Sequence, residues 1–397
     1  MTTKFSAGGQ SIGYIYQVRY ALNLILSEKN IDKDIAIEQL DDVHFSNEGT
    51  VEELIQLKHS ISKKASLSNS SGEFWKTIRV WSELTFEKKI KPVNIVLTLI
   101  TTATASEDSI CSFLRMDHNR NPKEAVKMML DFIKTSESEV NKVNFDAFTK
   151  LSEEDRFSLV NSIQIIDNTP NILNVPDLIK QKLKVAVRRA HLDSIYERLE
   201  GWWFNRVIEN VARNSNESIS GFEVQDYINE VRDQFSKDSL PIDYRKAVPT
   251  DINAESDSIQ FIEQLKLISL SNRRIEQAIH DYYRAFTQRS RWIREDLVFV
   301  GELEQYEDRL LEEWDRQFEM IMEDEMHNDE LLMKKRGKEL YNKIQELQIN
   351  IRKNCIEPYV MRGTYHILAD KSDLILGWHP DFVNRLKKLL IGKRKVI

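Results

Sequence analysis

The sequence predicts a mixed α/β N-terminal domain over residues 1–195 and an all-α C-terminal domain over residues 196–397. Three observations carry this reading. Residues 35–58 hold two short apolar runs rich in β-branched side chains, separated by a gap containing Asn47 and Gly49. Val93 to Ile100 is a continuous apolar run after a proline, the pattern of a buried strand. From residue 196 onward apolar side chains recur at spacings of three and four, with few glycines to interrupt them.

The elements follow in order. A helix is predicted over 13–28, with Ile15, Val18, Leu22, Ile25 and Leu26 on one face and Gln17 near its start. Ile35, Ile37 and Val43 alternate with polar residues, so 35–43 reads as one strand. Side chains two apart share a face, which directs Glu38, Leu40 and Asp42 one way and Asp41 the other. A second strand ends in Leu54, Gln56 and Lys58 on one face, and Ser46 to Thr50 forms the hairpin loop. With Gly49 at its centre, Asp42 falls opposite Gln56 and Leu40 opposite Lys58, with Glu38 diagonal to Lys58. Cross-strand Cβ atoms lie roughly 5 Å apart, so these groups can share one ion.

Ser60 to Gly72 reads as a loop, and Phe74-Trp75-Lys76 opens a helix with Ile78 and Trp81 near one face. After the strand at 93–100, helices are predicted over 121–135 and 146–162, then an edge strand at 162–166 and a helix from Leu178. In the second half Leu303, Tyr306, Leu310, Trp314, Phe318 and Ile321 mark one helix of a bundle. Eleven acids and two arginines between Glu302 and Glu325 read as its solvent face.

Composition bounds the function. The net charge is −7, against the simplest kind of DNA binder, yet basic residues cluster at Lys180, Lys182, Lys184, Arg188 and Arg189 and again near the C-terminus. Such segregation can set a positive groove on an acidic molecule. Two distant cysteines match no zinc spacing, and with no signal peptide or bilayer-length apolar run the expectation is a reducing cytoplasm and no membrane partner. The phosphate loop, the dinucleotide fingerprint, H-E-x-x-H and G-x-S-x-G are all absent.

The hairpin carries the chemistry. Acidic residues, a turn, then Gln-x-Lys is the order in which metal-dependent nucleases of the PD-(D/E)xK type present their site. Mg²⁺ takes hard oxygen ligands, typically one or two carboxylates plus substrate oxygens. A lysine beside it can orient water or neutralise charge on the phosphate. Asp42, Glu38 and Gln56 are the candidate metal ligands and Lys58 the candidate catalytic cation. His59, Lys63 and Lys64 lie next to the site, where phosphate contacts are needed. An ordinary charged hairpin accounts for the same residues without chemistry.

Several segments resemble known families. G-Y-I-Y-Q at 13–17, E-Q-L-D-D-V at 38–43, Q-L-K-H at 56–59 and F-W-K-T at 74–77 resemble the double-stranded-DNA endonuclease domain of CD-NTase-associated antiphage effectors. G-W-W at 201–203, R-G-T-Y-H-I-L-A-D at 362–370 and G-W-H-P-D-F at 377–382 resemble the C-terminal domain of ABC-three-component effectors. The combination resembles effector subunits of Lamassu-type defence systems over nearly the full length. This resemblance implies a PD-(D/E)xK restriction-endonuclease-like core that cuts duplex DNA with Mg²⁺, or with Mn²⁺ in its place. It implies docking on an SMC-like ATPase subunit and a small third subunit, and a homo-oligomer in the active state. Asp42 matches the metal-binding aspartate, Gln56 a position usually acidic, Lys58 the catalytic lysine, and Gln17 a helix position often held by Glu. Glu38 is implied as a further ligand. Trp202, Trp203, Tyr365 and Trp378 are expected as core or interface anchors. A non-catalytic DNA-binding scaffold and an RNase on the same fold remain the alternatives.

Overall fold

The computed structural model describes residues 8–60, 65–213, 217–249, 260–322 and 329–394. Lys63 and Lys64 lie outside the described residues. The chain divides into two compact units, Met1–Val231 and Arg232–Ile397.

The first unit is mixed α/β. Helix α1 (Gly8–Ile25) is followed by strands β1 (Asp34–Ile37), β2 (Val43–Asn47) and β3 (Thr50–Lys58) and by the short strand β4 (Ser66–Leu67). Then come α2 (Gly72–Phe86), β5 (Val96–Thr101), β6 (Thr104–Ala105), α3 (Pro122–Thr135), α4 (Lys142–Thr149), α5 (Glu153–Ser162) and β7 (Ile163–Ile166). Helices α6 (Val175–Leu183) and α7 (Leu192–Ala212), strand β8 (Ile219–Ser220) and helix α8 (Gly221–Gln234) follow. Six strands form one sheet in the order β7-β5-β3-β2-β1-β8. β1, β2 and β3 are antiparallel neighbours, whereas β5 and β7 run parallel to β3. The sheet is therefore mixed, as a hairpin followed by helical crossovers requires.

The β2–β3 hairpin closes through Glu48 and Gly49, with φ of 47° and 77°. Both central residues are left-handed, which a type I′ turn demands. Val43 then pairs with Ile55, which sets Asp42 beside Gln56 as expected. The strand expected over 35–43 is instead two strands. Residues 38–42 form a tight turn in which Glu38 has φ of 57° and donates its N–H to the Asp42 carbonyl at 3.0 Å. Leu40 is consequently on the exposed loop and not opposite Lys58. The single helix expected over 146–162 is likewise two, α4 and α5, separated by Ser152, whose hydroxyl caps α5 by accepting from the Asp155 N–H.

Leu54, Leu97, Leu99, Ile163 and Ile165 pack with Phe74, Trp75, Ile78 and Trp81 of α2 in one buried cluster. α1 packs with α6 and α7. Trp203 is fully buried and donates its indole N–H to the Val18 carbonyl at 2.7 Å, so it is a core anchor. Trp202 stacks on Tyr227 at 4.5 Å. Position 195/196 falls inside α7, and residues 196–231 fold with this unit because β8 hydrogen-bonds to β1. Gly221 permits that pairing, since a Cβ there would sit 2.0 Å from the Ile31 carbonyl oxygen. Two of the clustered lysines are spent internally: Lys180 pairs with Asp193 at 2.6 Å, and Lys182 donates to Ser27 at 2.8 Å and to the Asn23 carbonyl.

The second unit is helical among the described residues. It contains α9 (Gln260–Leu267), α10 (Asn272–Arg294), α11 (Glu302–Met322), α12 (Glu330–Glu346), α13 (Pro358–Ala369) and α14 (Phe382–Arg394). The predicted stripe on α11 is buried at Leu303, Tyr306, Leu310, Trp314 and Ile321. The acid-rich run is more than a solvent face. Glu302 is only 6% exposed and bonds Arg352 at 2.7 and 2.8 Å, and Glu307 holds Arg289 and Lys371. Tyr365 and Trp378 are fully buried, and Tyr365 donates to the Leu310 carbonyl at 3.0 Å. Gly363 lets α13 lie directly on α10, since a Cβ there would be 2.0 Å from the Asp281 carbonyl oxygen. No described helix is long and apolar enough to cross a membrane.

Candidate active site

Four elements converge where β3 ends. The turn between β1 and β2 supplies Glu38, Asp41 and Asp42, β3 supplies Gln56 and Lys58, α1 supplies Gln17, and α2 supplies Trp81. Asp42 is held from several sides. Its Oδ2 accepts the Leu57 N–H at 2.8 Å, its Oδ1 accepts from the Gln56 amide at 3.2 Å, and Gln17 also hydrogen-bonds its carboxylate. Burial raises the Asp42 carboxyl above its ordinary range, and the Lys58 charge and these hydrogen bonds pull it back. Glu38 is raised by burial and by the Asp42 charge, with Lys58 opposing. Lys58 is mostly buried, and its Nζ lies 3.7 Å from Glu73 at the start of α2.

Asp41 is the residue that strand alternation misplaces. In the turn it points inward and is 8% exposed. Its Oδ2 accepts the Trp81 indole N–H at 2.6 Å and its Oδ1 accepts from the Gln56 amide, so Gln56 bridges the two aspartates. Burial, with the adjoining Asp42 charge, pushes the Asp41 carboxyl up to about 6 against the donors that stabilise its anion. A buried Trp N–H needs an acceptor, and the Asp-Asp doublet was the available signal for this contact.

Gln17, Glu38, Asp42, Gln56 and Lys58 are thus brought together. His59 is not part of the cluster. Its ring lies tilted against that of Tyr16 at 4.7 Å, its Nε2 accepts the Ile172 N–H at 3.4 Å, and burial lowers its pKa. These contacts suit a structural residue better than a phosphate ligand.

No group of three or more His, Cys, Asp or Glu able to hold a metal is found among the described residues. The donors on offer are two carboxylates, Asp42 and Glu38, and the amide of Gln56. That set fits a hard divalent cation, which commonly takes only one or two protein carboxylates and completes its shell with water and phosphate. The mutual charge and burial of the two acids are what a cation offsets. Chemically, the arrangement offers oxygen ligands and an ammonium at one end of a rigid sheet, with a left-handed, non-glycine residue (Glu38) in the turn that carries the acids.

Comparison with known proteins finds one family match, in the second unit. Residues 261–386 match the family described as C-terminal domain 7 of the ABC-three component (ABC-3C) systems. No curated protein matches the chain. Among solved structures, the Acinetobacter baumannii Cap4 SAVED/CARF-domain containing receptor with the cyclic trinucleotide 2'3'3'-cAAA is 15% identical, with a TM-score of 0.33 over 68% of this chain and 58% of that one. The Moraxella osloensis Cap4 SAVED/CARF-domain containing receptor is 16% identical, with a TM-score of 0.34 over 65% of this chain and 60% of that one. The chain thus spans about three fifths of the length of these receptors.

Proposed function

We propose that this chain is a metal-dependent double-stranded DNA endonuclease, the effector of an ABC-three-component defence assembly of the Lamassu type. The observation that carries the reading is the meeting of Asp42, Glu38, Gln56 and Lys58 at the end of β3, with Gln17 supporting Asp42 from α1. The order helix, acid-bearing turn, Gln-x-Lys strand and crossover to a parallel strand supports reading the first unit as a PD-(D/E)xK core. The family match over residues 261–386 supports a place in a multi-subunit complex. An SMC-like ATPase and a small third subunit are the proposed partners, and self-association the proposed route to cutting both strands.

Asp42 and Glu38 would hold Mg²⁺ or Mn²⁺, with the Gln56 amide beside them. Bound there, the ion would polarise a phosphate and acidify water. Lys58 positions the attacking water or neutralises charge on the phosphate oxygens. Asp41 and Trp81 fix the Gln56 amide, so its orientation does not depend on substrate. A glutamine in place of an acid leaves less negative charge on the ion, so cation affinity rises when substrate phosphate joins the shell.

The test is cleavage by the purified chain, alone and with its partner subunits, on supercoiled plasmid, linear duplex and RNA of matched sequence. Cutting of duplex DNA that requires Mg²⁺ or Mn²⁺ and stops with EDTA is expected. Preferential cutting of RNA would assign the same site to a ribonuclease. DNA binding by the assembled complex with no cleavage of either substrate would leave a scaffold.

A further inference from the structure

A second site lies in the helical unit, remote in sequence from the hairpin. We propose that the cleft between α10, α12 and α13 binds the phosphate group of a small ligand of nucleotide size. The cleft has a volume of about 410 Å³, and Arg274, Asp281, Arg284, Tyr341, Gln345 and Arg362 line it. That is the volume range of small-molecule pockets.

The case rests on how the three arginines are held. Spacings of seven and three residues put Arg274, Asp281 and Arg284 along one side of α10. Arg274 donates to Asn342 at 2.6 Å and lies over the Tyr341 ring at 5.0 Å. Arg284 donates through Nε to the Ala247 carbonyl at 2.8 Å. Arg362 donates through Nε to the Gln345 carbonyl at 3.0 Å. Each guanidinium is oriented by a neutral acceptor, and none of the three lies within salt-bridge distance of a described carboxylate. Elsewhere in this unit, part-buried arginines are paired: Arg289 with Glu307, Arg291 with Glu295 and Arg352 with Glu302. An oriented but unpaired guanidinium fork is a ready acceptor of a phosphate oxygen pair.

Two further features point inward. The side-chain amide nitrogen of Gln345 is buried with no hydrogen-bond partner, a donor that a ligand oxygen would satisfy. Gly363 brings α13 against α10 beside Asp281, which places Arg362 next to the α10 arginines. The one carboxylate in the cleft, Asp281, is raised by burial, with Arg362, Arg284 and His280 opposing. Three guanidinium charges against one carboxylate leave two positive charges, which a phosphate dianion matches. The site stands independently of the nuclease reading.

The full chain is titrated with inorganic phosphate, AMP and ATP, and with adenosine as the uncharged control, by equilibrium dialysis. Saturable one-to-one binding of a phosphate-bearing probe and none of adenosine is expected, weakened at least tenfold in Arg284→Gln and in Arg362→Gln and unchanged in Arg294→Gln. Phosphate binding equal to that of the nucleotides would assign the free anion as the ligand class. Because the variants could disturb the helix packing, the unaltered chain is also treated with phenylglyoxal with and without probe. Protection of Arg274, Arg284 and Arg362 supports the site. Binding of no phosphate probe, or binding with no protection of these three, overturns it.

Discussion

Asparagine in place of Asp41 isolates the electrostatic cost built into the candidate site. The carboxyl stands near 6 in the folded chain against an ordinary 3.8. Two pH units at about 1.4 kcal/mol each give about 3 kcal/mol, and with the group 8% exposed solvent screens little of it. The sign follows from proton counting. Between pH 3.8 and 6 the folded chain holds a proton that the unfolded chain has released. Stability from this group is therefore full below pH 3.8, falls as pH rises through 6, and stays low above it. Asp41→Asn removes that titration. Urea unfolding, followed by tryptophan fluorescence in EDTA at a series of pH values, gives the difference between the variant and the parent. The difference should move in the variant's favour by about 3 kcal/mol from acid to neutral pH. A difference that stays flat, or moves toward the parent, refutes the placement of Asp41 between Gln56 and Trp81.

Two other consequences concern the helical unit. His366 is fully buried and its imidazole is pushed down to about 3, so the unfolded chain takes up a proton below about 6.5 that the folded chain refuses. The stability of the parent relative to His366→Gln should fall by about 1.4 kcal/mol per pH unit as pH drops below that point, read by urea titration of both chains. Gly363→Ala would force a Cβ to within 2.0 Å of the Asp281 carbonyl oxygen, which packed backbone cannot yield. A loss of about 1–3 kcal/mol is expected in calorimetry, with α13 pushed off α10.

Much of this is legible in the residues because period and punctuation are strong there. Glu48-Gly49 announces the hairpin, and that turn sets the register that puts Asp42 beside Gln56. The α11 stripe survives because six apolar residues at helical spacing admit one burial face. The turn at 38–42 is hidden because it depends on a left-handed Glu38, a backbone state that a glutamate does not advertise. Once that turn forms, strand alternation no longer applies, and Asp41 is not directed away from Asp42 but shares the Gln56 amide with it while accepting from Trp81. The pairing of Glu302 with Arg352, 50 residues away, is equally invisible to local composition, which reads an acid run as a solvated face. α7 and α8 look like the start of a helical half because helical period is local, whereas the β8–β1 bonds that tie them to the first unit are long-range.

On the proposed function, Lys58 and the acids of the 38–42 turn act as one hydrolytic site. The most direct measurement of this is plasmid cleavage by the assembled complex carrying either the parent chain or Lys58→Met, at matched protein and Mg²⁺ concentrations. Loss of cutting by at least about 100-fold, with unchanged assembly and unfolding midpoint, is the predicted result. Equal cutting by the two complexes would contradict it.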